Sequence, residues 1–170
     1  MSLVCLGLGS SAAPEVYLGP CFDALERTFG AVRLSRIFES EPVGCPGAAN
    51  FFNAVAAFES DWSALALNAW TKRQEAAQNP PGPRRRHAPK ALDIDLLSVG
   101  DTCLALDELT LPRADITRYA FVLTPLAELL PNQPHPRCGT PYAKLLARAD
   151  FRDQRLWPVP FTWCGVRRSP

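Results

Sequence analysis

Two stretches of this chain cannot be regular structure, and their positions constrain everything between them. Ser40–Gly47 carries two prolines and two glycines, and Asn79-Pro80-Pro81-Gly82-Pro83 carries three prolines in five residues. Proline removes a backbone donor and fixes φ, so neither stretch can continue a helix or a strand ladder. Ahead of the first break, Leu3–Gly9 is a short apolar run ending in Gly9-Ser10-Ser11, which reads as a buried strand running into a turn. Leu18, Phe22, Leu25 and Phe29 recur near a 3.6 period within Val16–Gly30, the pattern of a helix closed by Gly30. Ala31–Glu39 has period two at Val32, Leu34 and Phe38, with Arg36 as the exception, and predicts a strand. Between the breaks lie an apolar, aromatic strand, Phe51–Phe58, and an alanine- and leucine-rich helix, Ser63–Gln78, with Asp61 or Ser63 as N-cap.

After the second break come Arg84-Arg85-Arg86-His87-Ala88-Pro89-Lys90 and a strand, Ala91–Val99, turned by Gly100-Asp101. A short returning strand is predicted at Cys103–Leu106, with helices at Tyr119–Leu130 and Thr140–Ala149. The tail from Phe151 has no clear period. The order β-α-β-β-α-β is the split βαβ, ferredoxin-like pattern. The expected fold class is therefore α+β: an antiparallel sheet with helices on one face, and helical additions at the C-terminus. No linker or repeat divides the 170 residues, so one domain is expected over 1–170.

With 47% hydrophobic and 21% charged residues, a chain of this length can bury a core without staples. No run approaches the ~20 apolar residues that span a bilayer. The N-terminus lacks a basic region before its apolar stretch, so no export signal is read and a cytoplasmic protein is expected. Cys5, Cys21, Cys45, Cys103, Cys138 and Cys164 are scattered, with no pair at zinc-ligand spacing, and reduced thiols are expected. A net charge of +1 argues against non-specific nucleic-acid binding.

The chemistry concentrates at Asp93-Ile94-Asp95 within an apolar strand. Residues i and i+2 of a strand share a face, so the two carboxylates point the same way. On a partly buried face they repel unless cations offset them, and an oxygen-only pair suits a hard cation such as Mg²⁺. Two exposed carboxylates on a solvated face would have the same sequence. Upstream, Lys72, Arg73, Arg84, Arg85, Arg86 and Lys90 face only Glu75, the arrangement wanted beside a Mg²⁺-polyphosphate, although a basic run is equally a solvated patch. No P-loop is present. In Phe51-Phe52-Asn53-Ala54, Phe51 and Asn53 share a face. They could hold a flat heterocycle by stacking and hydrogen bonds, or Phe51 and Phe52 could be core.

Taken together, Gly9-Ser10-Ser11, Ser40-Glu41-Pro42-Val43-Gly44, Phe51-Phe52-Asn53-Ala54, Pro89-Lys90-Ala91-Leu92-Asp93-Ile94-Asp95 and Leu111-Pro112…Ala120-Phe121-Val122-Leu123 resemble the 6-hydroxymethyl-7,8-dihydropterin pyrophosphokinases of folate biosynthesis. The resemblance runs from Leu3 to about Pro136. It implies the ferredoxin-like fold and transfer of pyrophosphate from ATP to the pterin hydroxymethyl group, releasing AMP. It implies that Asp93 and Asp95 hold two Mg²⁺ ions. Asn53 and Phe51, with the backbone at Ser40 and Val43, would take the pterin, and Phe121 would stack on it. Glu75, Lys90, Leu96, Thr110 and Arg113 would belong to the ATP site, and Lys90, Arg84 and Arg113 would supply cations to the phosphates. The partners implied are small molecules, with neither nucleic acid nor membrane, and the chain is expected to be a monomer.

The departures from the family pattern fall mostly on the cations. Tyr119 stands two residues before the stacking phenylalanine where the family has arginine. Arg113 replaces a histidine, Lys90 an arginine, and His87 aligns with a loop tryptophan. A start of Gly-Arg-x-Arg has become Asn79–Arg84, one residue longer. A weakly active or inactive pterin- or nucleotide-binding paralogue with a regulatory role is the alternative expectation.

Overall fold

The computed structural model describes residues 1–79, 81–82, 89–163 and 166–167; Arg84, Arg85, Arg86, His87 and Cys164 lie outside the described residues. Strand β1 (Ser2–Ser10) leads to helix α1 (Pro14–Phe29), which has a proline in its first turn and ends at Gly30. Gly30 adopts φ +80, which few other residues tolerate, and its N–H donates to the Glu26 carbonyl at 2.9 Å. Next come β2 (Arg33–Leu34), β3 (Phe38–Ser40), β4 (Phe51–Ser60), α2 (Ala64–Gln78) and β5 (Asp93–Val99). Ser63 is the N-cap of α2, its Oγ accepting from Ala66 N–H at 3.2 Å. The remaining elements are β6 (Leu104–Ala105), β7 (Thr110–Leu111), α3 (Asp115–Arg118), α4 (Ala120–Leu129), α5 (Tyr142–Arg148), β8 (Leu156–Pro158), β9 (Thr162–Trp163) and β10 (Val166–Arg167).

The main sheet runs β5-β1-β4-β3-β8, with β2 also on β4, and every pairing is antiparallel. The ferredoxin-like order expected from the sequence is thus the observed one. Apolar residues on one face of β1, β4 and β5, including Leu6, Leu8, Ala56, Phe58 and Ile94, bury against α1 and α2. The other face is covered as well: Cys5, Val55, Ala57 and Leu97 pack against Val122, Leu123, Leu126 and Tyr142 of α4 and α5. Helices on one face only was therefore too few. The C-terminal helices are a third layer on that face.

Three further expectations change. The strand predicted over Ala31–Glu39 is two strands, because Ser35 turns its hydroxyl back into the sheet. Its N–H donates to Val55 O at 2.9 Å and its Oγ accepts from Val55 N–H at 2.9 Å. The adjoining Arg36 is drawn off the sheet to Glu128 of α4, Nε to Oε2 at 2.8 Å. The returning strand near Cys103 shortens to β6 and pairs with β7, which no pattern announced. Among its described residues the tail carries short strands within irregular backbone. Its strand β8 pairs with β3, and Phe161 and Trp163 lie edge-on to Phe22 at 5.8 and 5.4 Å, inside the core. Among the described residues Cys5, Cys21, Cys45, Cys103 and Cys138 are free thiols.

Candidate active site

The α4/α5 face of the sheet carries the site, and its floor is made of absent side chains. Antiparallel register sets Gly9 between Asn53 and Asp93, and Gly7 between Val55 and Asp95. Two glycines at i and i+2 leave a trough down a central strand where a ligand can approach the backbone. The trough opens into a cavity of about 840 Å³ bordered by Asn53, Phe51, Tyr119, Phe121, Val43 and Asp95 among others. The sequence reading took Gly9 as a turn residue. The signal it missed was the two-residue spacing of Gly7 and Gly9, in phase with Asp93 and Asp95 across the ladder.

Asn53 is buried, 5% exposed, and its amide is spoken for on one side. Its Nδ2 donates to Ser40 Oγ at 2.9 Å and to the carbonyls of Phe38 and Phe51 at 3.3 Å each. Three acceptors fix which end is nitrogen, so the end left for a ligand is the carbonyl Oδ1, an acceptor. Ser40 is equally buried and acts by holding Asn53; Val43 is half exposed on the loop above. Phe121, in the first turn of α4, is stacked on Tyr119 with ring centroids 5.1 Å apart and planes 15° apart. Tyr119 borders the same cavity, whose lining also includes Lys90, Asp93 and Asp95.

Asp93 and Asp95 project from β5 onto the same face, and each already meets a cation. Lys90 Nζ lies 2.5 Å from Asp93 Oδ1, and Arg113 Nη1 lies 3.5 Å from Asp95 Oδ1. Arg113 also grips Asp115 Oδ2 through Nη2 at 2.6 Å and Nε at 3.1 Å, so it bridges two carboxylates. Burial raises the Asp93 pKa, but the hydrogen bond and charge of Lys90 outweigh it and hold the group below its ordinary value. Burial, then the charge of Asp93, pushes Asp95 above its ordinary value.

Glu75 does not reach either cavity. It is 9% exposed on α2; its Oε1 accepts from Ile94 N–H at 2.7 Å and its Oε2 pairs with Lys72 Nζ at 3.0 Å. It clamps α2 to β5 between the two aspartates. A second, more polar cavity of about 520 Å³ lies beside β5, bordered by Lys72, Asp95, Leu96, Thr110, Arg113 and Asp115 among others. Leu96 is 2% exposed and its side chain is core, so it contributes little beyond the cavity's edge. Asp95 and Asp115 border both cavities. The carboxylates therefore sit on the seam between an aromatic pocket and a polar one. Among the described residues no three His, Cys, Asp or Glu side chains form a ready-made metal cage. The loop upstream is anchored at both ends: Asn79 Nδ2 donates to Leu92 O at 2.8 Å, and Lys90 N–H donates to Ser11 Oγ at 2.8 Å.

The family profile for 7,8-dihydro-6-hydroxymethylpterin-pyrophosphokinase (HPPK) matches residues 5–131. The chain belongs to this family. A 2-amino-4-hydroxy-6-hydroxymethyldihydropteridine pyrophosphokinase of Pseudomonas aeruginosa is 33% identical over 155 residues, covering 87% of this chain and 92% of that one. Its namesake from Aquifex aeolicus is 28% identical over 138 residues, 80% of this chain and 85% of its own. Among solved structures, Plasmodium falciparum HPPK-DHPS with pteroate superposes with a TM-score of 0.68 at 13% identity. That match covers 86% of this chain but only 42% of the larger one, and it speaks for the fold.

Proposed function

We propose that this chain transfers pyrophosphate from ATP to 6-hydroxymethyl-7,8-dihydropterin and releases AMP. The observation that carries the reading is the seam: two cavities of opposite character meet at Asp95 and Asp115. A flat pterin suits the pocket walled by Phe51 and Phe121 over the glycine floor, where Asn53 Oδ1 would accept from a ring or exocyclic N–H. A nucleotide suits the polar cavity, with Lys72, Thr110 and Arg113 at its border. In that pose the pterin hydroxyl oxygen attacks the β-phosphorus and forms the new O–P bond. The bond from that phosphorus to the α,β-bridging oxygen breaks in line, AMP keeps the bridging oxygen, and the hydroxyl proton is lost.

Asp93 and Asp95 fit Mg²⁺, which takes one or two protein carboxylates and completes its shell with water and phosphate oxygens. Bound there, two ions would offset the negative charge of the phosphates. The carboxylates cannot serve cations and ammonium or guanidinium partners equally. Loading the site would therefore free Lys90 and Arg113 to turn toward the phosphates. Arg84, in the segment outside the described residues, is assigned the same task. Glu75 acts by fixing the β5 backbone between the two aspartates.

One observation favours a second reading. Tyr119 is stacked on Phe121 and supplies no cation, which is what a pterin-binding paralogue with slow or no turnover would show. The experiment that separates them is AMP release from ATP and Mg²⁺ with and without hydroxymethyl-dihydropterin. Pterin-dependent AMP at many turnovers supports the enzyme. Tight pterin binding with no AMP above background supports the paralogue.

A further inference from the structure

Residues 154–157 lie beyond the family match, which ends at 131, yet they hold both walls of the aromatic cavity. On the α4 side, the Gln154 carboxamide brackets Tyr119: its Oε1 accepts from Ala120 N–H at 2.8 Å and its Nε2 donates to Arg118 O at 3.0 Å. Ala120 opens α4, where the first N–H groups have no partner within the helix. Tyr119 has no side-chain capping bond to offer them. Gln154 thus fixes the turn from which Tyr119 and Phe121 project.

On the opposite wall the tail works through Glu39. Trp157 is the ladder partner of Glu39, and its indole Nε1 donates to Glu39 Oε2 at 3.2 Å. The other carboxylate oxygen, Oε1, accepts from Asn50 Nδ2 at 2.9 Å. Asn50 closes the loop that carries Val43 and leads directly into Phe51. Arg155 adds a pair with Glu41 at the loop's other end, 2.8 Å, and lies over the Trp157 ring at 5.7 Å. The Arg155–Glu41 pair is largely exposed and contributes little by itself. The Glu39 hub and the Gln154–Ala120 bond are the better sheltered contacts, while the Gln154–Arg118 bond is exposed.

We propose that Gln154–Trp157 is a strap that sets the width of the aromatic cavity, with Gln154 and Trp157 as positioning residues for the heterocyclic substrate. This rests on the pyrophosphokinase reading above. Neither residue borders either cavity, so their effect is transmitted through Tyr119–Phe121 and through Asn50–Phe51. The polar cavity has no contact with the strap, which predicts a selective consequence. Misplaced walls weaken pterin binding and leave Mg²⁺-ATP binding alone.

The test uses the full-length chain with Gln154→Ala, Gln154→Glu and Trp157→Phe. Calorimetry with hydroxymethyl-dihydropterin is expected to show about tenfold weaker binding in Gln154→Ala, as for loss of one to two hydrogen bonds, and less in Gln154→Glu, which keeps the acceptor for Ala120 N–H. Affinity for Mg²⁺-ATP should stay within about twofold of wild type, the scale of a change that leaves its contacts intact. Without ligand, amide exchange should quicken at Ala120–Val122 in Gln154→Ala and at Asn50–Phe51 in Trp157→Phe. Pterin affinity unchanged in both alanine and phenylalanine variants would overturn the strap. So would equal losses for pterin and Mg²⁺-ATP that follow a fall in Tm, since that is a role in stability alone. Wild-type protein that bound no pterin would overturn the pyrophosphokinase reading itself, a result recognisable because no variant is needed to see it.

Discussion

Gly9→Ala should separate folding from function in opposite directions. Gly9 is in extended strand, laddered on both sides, so alanine suits its backbone. A Cβ built there would stand 3.6 Å from Phe51 Cδ1 and 3.7 Å from Asn53 Oδ1, ordinary contact distances that ask nothing to move. Replacing a strand glycine removes backbone freedom from the unfolded chain, which stabilises by ~0.4–1 kcal/mol where the native conformation is compatible. For a chain of this size that is a rise in Tm of about 1–4 °C. The same methyl stands over the one atom of Asn53 left to accept from a ligand. Losing a buried hydrogen bond there costs ~1–3 kcal/mol, or about 5- to 150-fold in pterin affinity. Thermal unfolding and pterin calorimetry on the same preparation check both signs. Unchanged pterin affinity would refute the glycine floor as the place where the heterocycle lies. A Tm lowered by several degrees would refute the claim that the position has room.

Asp95→Ala should sharply reduce affinity for ATP in the presence of Mg²⁺ while changing the metal-free affinity little; calorimetry with and without Mg²⁺ reads the difference. Glu75→Ala leaves the Ile94 N–H buried without its acceptor and should cost ~1–3 kcal/mol in denaturant unfolding, whereas Glu75→Gln, which still accepts through its carbonyl, should cost far less. His135 is 7% exposed, and burial, reinforced by Arg137, lowers its pKa below the ordinary value. Its Nδ1 also accepts from Arg137 N–H at 3.2 Å, a bond the protonated ring cannot accept. The unfolded chain then binds the proton more readily, so this contribution to stability is complete above the ordinary histidine pKa of about 6.5 and is lost as pH falls through the lower folded value. Tm measured from pH 7.5 down to 5 should drop less steeply in His135→Asn than in wild type.

The element order and the aspartate pair were legible because each rests on a local period: 3.6 for Leu18, Phe22, Leu25 and Phe29, two for Asp93 and Asp95. What was not legible depends on contacts distant in sequence. Ser35 breaks a period-two run by bonding Val55, twenty residues on, and nothing in Val32–Phe38 signals it. Strand β8 is three residues long with a proline, too short to show alternation, and its partner is fixed by β3's open side. The family resemblance implied an ATP-site role for Glu75; its buried bond to Ile94 N–H appears only when α2 packs on β5. Tyr119 and Phe121 share a spacing that would separate them in a regular helix. They stack because Tyr119 lies just outside α4 in extended backbone, φ −121 and ψ 130.

The clamp by which Glu75 and Arg113 hold β5 has a bearing on association between molecules. β5 is an outer strand of the sheet, and outer strands offer unpaired N–H and C=O groups to any chain that meets them. Here Glu75 occupies the Ile94 N–H, and the Arg113 N–H donates to Leu97 O at 2.9 Å. At the opposite margin β8 presents three residues, one of them Pro158, which has no N–H to give. Among the described residues both margins thereby offer fewer free backbone groups to a further strand. A chain cut before Leu156 would expose β3, and its first fault in solution would be aggregation at that margin.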